Sequence, residues 1–332
     1  MQAQAVVTTA PWKVEVQNVS VPEPGPDDVV IRVRHSWISN GTEGSFIRGE
    51  RIGGDTPRRE SDPLPFPHVP GYQKVGVIEE VGTNVTDFQI GDWVFATVSH
   101  VEAMFYDYGG HVSPAVTHRS QVWKLPHGVE PLAFSGLVLT QVGYNCAARP
   151  TLSPGDTAIV IGDGLVGHWT AQTLQARGAR VLMTGRHDER LARFALSDGD
   201  LAANEKQADV LALIRGWAPS GVQAVCDTVG TISLLEALIP LMRRDGHISS
   251  AGFYGTDGRF DLQLLRDREL TLHGPSGWNK SRMDTTLEMV SRGELQTLPL
   301  ITHRFPVHNA AEAYDLILSR NAPVLGVVLD WA

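Results

Sequence analysis

Short apolar runs broken by charges fill the first part of the chain, as in Val29-Val30-Ile31-Arg32-Val33 and Val75-Gly76-Val77-Ile78-Glu79-Glu80-Val81. Turn formers punctuate them at Pro24-Gly25-Pro26, Gly53-Gly54, Pro70-Gly71 and Gly91-Asp92. Alternation between such breaks predicts a strongly curved, largely antiparallel unit, an irregular β-barrel. From about Pro131 the texture changes. Brief apolar stretches at 158–161, 180–184, 224–227, 246–251 and 269–274 alternate with segments of helical length and period. That order predicts β-α-β crossovers and a parallel sheet. Helical period returns at 283–292 and 309–319, before a last strand at 325–329, so the tail is expected to rejoin the first domain. The chain therefore reads as α/β. A doubly wound parallel sheet over 137–276 is inserted into a β-barrel domain of residues 1–136 and 277–332. The stretch 48–68, poor in period and rich in charge and proline, reads as a mobile flap beside a cleft.

The strongest local signal is Ala158-Ile159-Val160-Ile161 running into Gly162-Asp163-Gly164-Leu165-Val166-Gly167, then a helix ending near Arg177-Gly178 and a second strand from Arg180. In such a frame the glycine turn brings backbone N–H groups at a helix N-terminus to a pyrophosphate. Gly162 serves the tight turn, Gly164 the close approach of phosphate, and Gly167 the packing of helix on strand. Leu165, Val166, Trp169 and Leu174 are expected to form the buried face of the helix. Asp163 is awkward: between the glycines a carboxylate repels phosphate unless it points to solvent. The end of the second strand selects the nucleotide, because an acid there takes the ribose hydroxyls of NAD. Here Thr184-Gly185-Arg186-His187 puts Gly185 where the acid would stand, and Arg186 with Arg190 can meet an extra phosphate. NADP(H) is the expected cofactor.

Composition narrows the partners. Of 332 residues 42% are hydrophobic and 20% charged, values of a folded globular chain. The net charge of −9 speaks against nucleic acid. The two cysteines, Cys146 and Cys226, are too few and too far apart in sequence for a disulfide framework or a cysteine-rich metal site. With no signal-like N-terminus and no apolar run of membrane-spanning length, the expectation is a soluble cytoplasmic protein without a membrane partner.

Barrel, cofactor domain and returning tail, in that order, resemble the medium-chain dehydrogenase/reductase family over essentially the full length. Val69-Pro70-Gly71-Tyr72-Gln73-Lys74-Val75-Gly76 is similar to the family's Gly-His-Glu segment, and Gly91-Asp92-Trp93-Val94 to its Gly-Asp-x-Val strand. Leu152-Ser153-Pro154-Gly155-Asp156 resembles the entry to the cofactor domain, and His303-Arg304-Phe305-Pro306 with Ala311-Glu312-Ala313-Tyr314 the closing signature. The resemblance implies a GroES-like catalytic domain beside a Rossmann domain. It also puts Thr228, Val229 and Gly230 near the nicotinamide, and it implies a homodimer joined at a sheet edge near 270–273. Ser39-Asn40-Gly41-Thr42-Glu43 with Pro70-Gly71-Tyr72 is most similar to the bacteriochlorophyllide dehydrogenase branch, which points to carbon–oxygen redox chemistry on a small molecule.

Zinc members of the family carry Cys, His, Glu and a further Cys or Asp where this chain has Ser39, Tyr72, Gln73 and approximately Gly136. Hydroxyls and an amide are poor zinc ligands, so no metal is expected, and the pair His111 and His118 reads as ordinary loop histidines. A developing oxyanion then needs a proton donor. Tyr72 is the first candidate, Thr42 aligns with the family's relay hydroxyl, Ser39 adds a donor, and Glu43 orients them. Trp37, Phe46, Trp93, Phe95, Tyr106, Tyr108 and Trp278 suit a bulky, ring-containing substrate. The leading expectation is a zinc-independent, NADP(H)-dependent enzyme acting on a ketone or secondary alcohol. A carbon–carbon double-bond reductase of enones or quinones, and a non-catalytic NADPH-binding protein, stand as alternatives.

Overall fold

The computed structural model describes residues 1–332. It divides into two compact units, Met1–Val138 with Thr297–Ala332, and Leu139–Gln296.

The spine of the first unit is the strand Asp28–Ile38, whose Val29, Val30, Ile31 and Val33 are buried. Along one edge it pairs antiparallel with Lys74–Val81. Its other edge is shared: Ala115–His118 takes the first half, with Ala115 opposite Ile31, and Gly326–Asp330 the second, with Val328 opposite Trp37. Register shifts at Val30/Ile31 and Val33/His35 bend the strand, as curvature of a barrel wall requires. A three-stranded sheet of Val112–Ser113, Gln2–Ala10 and Lys13–Ser20 completes the unit. The spine ends where Ser39 becomes the N-cap of the helix Asn40–Ile47. The 48–68 stretch contains a small hairpin, Arg51–Gly53 with Thr56–Pro57, tied down by buried Arg51, which donates to Ser45 Oγ at 2.6 Å and Gly54 O at 3.0 Å.

The second unit holds six parallel strands in the order Leu201–Asn204, Arg180–Gly185, Thr157–Ile161, Val222–Asp227, Met242–Ser250, Thr271–His273. In chain order this is 3-2-1-4-5-6, the doubly wound Rossmann arrangement. Alternate residues feed two separate cores. Ile159, Ile161 and Val225 pack on one face, and Ala158, Val160 and Ala224 on the other, which is why the strands read as unbroken apolar runs. A Rossmann sheet and a GroES-like barrel are thus the two architectures, as expected.

The return to the barrel comes at Thr297, later than the boundary at 277 read from the pattern. Residues 277–296 are bonded to the second unit: Gln141 Nε2 donates to Gly277 O at 3.3 Å and Trp169 Nε1 to Gln296 O at 3.2 Å. No helix is long and apolar enough to cross a membrane.

Candidate functional site

Ser39, Thr42, Glu43 and Tyr72 come together at the start of the helix Asn40–Ile47. Ser39 sits at the N-cap, yet its hydroxyl does not cap the helix. Glu43 reaches back instead, and Ser39 N–H donates to Glu43 Oε1 at 2.6 Å, which leaves Ser39 Oγ free to accept from Tyr72 OH at 2.6 Å. Thr42 also hydrogen-bonds the phenol. Burial pushes the Tyr72 phenol up to about 12, the Ser39 and Thr42 hydrogen bonds opposing it, so the group holds its proton throughout the neutral range.

Glu43 is 2% exposed and fully engaged. Its Oε2 accepts from Tyr314 OH and lies 2.9 Å from His111 Nε2. Behind it, His111 Nδ1 is 2.8 Å from Ser36 Oγ, which accepts from Trp331 Nε1 at 2.8 Å. Donors then run one way, from Trp331 to Ser36 to His111 to Glu43, an order that assigns the imidazole proton to Nε2. Burial and the facing Glu43 charge raise the Tyr314 phenol well above its ordinary value.

The positions aligned with zinc ligands do not fit a zinc ion. Ser39 and Tyr72 are bonded to each other, and Gln73 Nε2 donates to Trp37 O at 3.2 Å. Gly136 offers no donor atom, and a Cβ there would lie 2.9 Å from the buried Trp37 ring, so the indole fills the space of a fourth ligand. His111 is committed to Glu43 and Ser36, while exposed His118 bonds Ser120 Oγ at 2.7 Å.

In the second unit the turn 162–167 joins Thr157–Ile161 to the helix Leu165–Ala176. Gly162 has φ +118°, and at Gly167 a Cβ would lie 2.0 Å from Gly162 O, so both must be glycine. Nothing lies within 4 Å of a Cβ built on Gly164, so the helix N-terminus opens onto free space there. Leu165, Trp169 and Leu174 are buried as expected, Val166 half-buried. Buried Asp227 accepts N–H bonds from Val229 at 2.8 Å, Gly230 at 3.0 Å and Thr231 at 3.1 Å, shaping the 228–230 turn, and Tyr254 OH donates to it at 2.7 Å. A cavity of about 440 Å³ opens at the carboxyl ends of the strands, lined by Arg186, Glu205, Asp209, Thr231, Ser233 and Leu234 among others.

Asp163 avoids facing the phosphate space by another route than exposure. It does not point to solvent; it is 6% exposed and turns back against Gly185, where a Cβ would meet the Asp163 Cβ at 2.4 Å. Its Oδ2 accepts from Arg186 N–H at 2.8 Å and His187 N–H at 2.9 Å, and lies 2.9 Å from His187 Nδ1. Arg190 Nη1 donates to Oδ1 at 3.4 Å. Burial alone would raise this carboxyl, but those hydrogen bonds and the Arg190 and His187 charges outweigh it and hold it below the ordinary carboxylate range.

Comparison with known proteins bears on both units. The alcohol dehydrogenase GroES-like domain family matches residues 25–127, and the zinc-binding dehydrogenase family matches residues 166–292. The chain belongs to the medium-chain, alcohol dehydrogenase-like dehydrogenases. One relative of this dehydrogenase is the 2-desacetyl-2-hydroxyethyl bacteriochlorophyllide A dehydrogenase of Rhodobacter capsulatus, 26% identical over 100% of this chain and 99% of that protein. Among solved structures, the Escherichia coli oxidoreductase/dehydrogenase of unknown specificity ECK1772 superposes with a TM-score of 0.86 at 19% identity, covering 100% of both chains. A Sinorhizobium meliloti putative zinc-binding dehydrogenase bound to NADP gives 0.82 at 19% identity over 99% of each. The protein is accordingly an oxidoreductase of small molecules.

Several residues of this dehydrogenase's candidate site escaped sequence reasoning. His111 and Tyr314 carry no local mark of their bond to Glu43, although Tyr314 lies within the closing signature. Of the candidate pocket aromatics, Trp37 and Phe95 are buried core. Phe46, Tyr106 and Tyr108 do assemble, in a ring cluster with Phe66, His68 and Phe105. Just past Tyr108 in the chain, Gly110 N–H donates to Pro70 O at 3.1 Å, which ties that stretch to the backbone two residues before Tyr72.

Proposed function

We propose that this dehydrogenase is a zinc-independent, NADP(H)-dependent enzyme that interconverts a ketone and a secondary alcohol, with Tyr72 as proton donor. The observation carrying the reading is the Tyr72–Ser39 hydroxyl pair at 2.6 Å, standing where zinc relatives hold metal ligands. A bound nicotinamide supplies or accepts the hydride. The turn Gly162, Gly164, Leu165, Val166 and Gly167 would receive the pyrophosphate, Thr228, Val229 and Gly230 the nicotinamide half, and Gly185 with Arg186 and Arg190 the 2′-phosphate. As charge builds on the substrate oxygen, the protonated phenol donates to it, and Ser39 and Thr42 stabilise the phenolate left behind. Glu43 keeps Ser39 in place through the backbone, so the serine hydroxyl stays available to the phenol.

A ring-containing substrate is supported by the partly open aromatic cluster, in which Phe105 is 38% and Tyr108 44% exposed. The name of the Rhodobacter relative, a hydroxyethyl bacteriochlorophyllide dehydrogenase, agrees in chemical type. A cytoplasmic homodimer joined along the edge strand Thr271–His273, where Leu272 is 43% exposed, completes the reading.

The test pairs Tyr72→Phe kinetics with a metal analysis. Loss of roughly 100- to 1000-fold in kcat with little change in KM is expected, in protein that carries no stoichiometric zinc and keeps its turnover in chelator. Bound zinc whose removal abolishes turnover would overturn the proposal, as would an unimpaired Tyr72→Phe variant. Reduction of enones with no activity on alcohols or ketones would move the reaction to carbon–carbon double bonds.

A further inference from the structure

Two carboxylates stand where an NADP(H) site should have none. Asp163 lies between the glycines of the turn, and Glu205 follows the third strand and lines the cavity with Arg186. Charge counting alone makes them hostile to a 2′-phosphate. Their bonding says otherwise.

We infer that Asp163 and Glu205 are positioning residues for nucleotide selectivity, holding Arg186, His187 and Arg190 as a preformed cationic clamp for the adenosine 2′-phosphate. The inference rests on the NADP(H) reading above.

Glu205 Oε1 accepts from Thr184 Oγ1 at 3.0 Å, which fixes the carboxylate, and its Oε2 accepts from Arg186 Nε at 3.3 Å. Arg186 is thus anchored by its inner nitrogen, and its two terminal nitrogens, the fork that grips phosphate, have no partner in the chain. The Arg186 side chain remains 58% exposed while Glu205 is 19% exposed, so the cation is presented and the anion withdrawn. Asp163 fixes the backbone of the same turn through the N–H groups of Arg186 and His187, and gathers the side chains of His187 and Arg190 on the same carboxylate.

The competing possibility is that Asp163, filling the space beside Gly185, replaces the missing acid and takes the ribose hydroxyls of NAD(H). Its acceptor capacity argues against this. Oδ2 already serves three donors and Oδ1 a fourth. A carboxylate has about four acceptor positions, so little remains for a sugar hydroxyl. His187 adds a ring nitrogen to the clamp; its Nδ1 faces Asp163, which leaves Nε2 for phosphate.

The experiment measures dissociation constants of NADPH and NADH, and of 2′,5′-ADP and 5′-AMP, by titration calorimetry on wild type, Glu205→Gln, Asp163→Asn and Arg186→Gln. Thermal melting of each variant reports its folding. Wild type is expected to favour the 2′-phosphorylated member of each pair. Glu205→Gln should weaken that member about tenfold and leave NADH and 5′-AMP unchanged, Arg186→Gln doing so more strongly. Asp163→Asn should follow Glu205→Gln; should it fail to fold, Glu205→Gln decides alone. A wild type that favours NADPH with an unchanged preference in Glu205→Gln overturns this inference and spares the cofactor reading. A wild type that favours NADH overturns both. Carboxylate variants that tighten NADPH would show repulsion and also sink the clamp.

Discussion

The hydroxyl cluster of the barrel unit is made of side chains drawn from distant stretches of chain, whereas the turn of the Rossmann unit is made of backbone from neighbouring residues. Glu43 meets His111 across 68 positions and Tyr314 across 271. In the other unit, Gly167 meets Gly162 within one turn. The first kind of site depends on polar groups that satisfy one another out of water, so removing one leaves the others stranded. The second depends on the absence of side chains, and adding one carbon breaks it.

Gly167→Ala should show the largest effect. Its methyl carbon would lie 2.0 Å from a backbone oxygen that cannot swing away, and a loss of roughly 4 kcal/mol or more in unfolding free energy is expected, with dinucleotide binding abolished. Urea denaturation with a calorimetric titration checks it; wild-type stability would mean the turn tolerates bulk. Next comes Glu43→Ala, which strands the donors on Ser39, His111 and Tyr314 and should cost about 3 to 5 kcal/mol. A cost below about 1 kcal/mol would show that the buried network does not hold the barrel site together.

Lys74 sharpens the contrast from the opposite side. It is fully buried next to the Tyr72 segment, and its Nζ donates to Thr97 O at 2.5 Å. Burial pushes the amine down to about 7. In the unfolded chain it titrates near 10.4, so between those values the unfolded state binds a proton the folded state lacks, and folding is penalised. The penalty is full below pH 7 and fades as pH rises toward 10. Lys74→Met should therefore gain about 3 kcal/mol near pH 7 and little at pH 10, read from denaturation midpoints at both pH values. A gain independent of pH would mean that Lys74 is already neutralised by other means. Gly164→Ala should do least to stability, within about 1 kcal/mol, because its Cβ meets nothing, yet it should weaken NADPH about tenfold by intruding where phosphate approaches. Unimpaired binding would move the pyrophosphate away from this turn.

The same difference decides what could be read beforehand. The inner parallel strands announce themselves as apolar runs because both faces are covered, and the edge strand Thr271–His273 was read from its place in the alternation although none of its residues is buried. The sixth, Leu201–Asn204, went unread: it is an edge strand with only Ala203 buried. Gly162 and Gly167 were legible because their necessity is local. The helix Asn40–Ile47 gave no helical signal, since Gly41, Thr42, Gly44 and Ser45 are weak helix formers, and contacts beyond the segment have to stabilise it. Ser39, Thr42, Glu43 and Tyr72 were legible by family likeness, but the partners of Glu43 were not, because no periodicity links residues so far apart. Asp163 was seen as awkward, but its orientation was not legible, being set by the Gly185 turn beyond the helix.

The strand Gly326–Asp330 seals the second half of Asp28–Ile38, and Trp331 donates to Ser36 from 295 positions away. On the ribosome, the stretch that delivers Ser39 must therefore wait with one margin bare until the whole Rossmann insert has been translated. Vectorial synthesis thus lets the nucleotide fold mature first. The hydroxyl corner around Ser39 is closed only after that insert has been made.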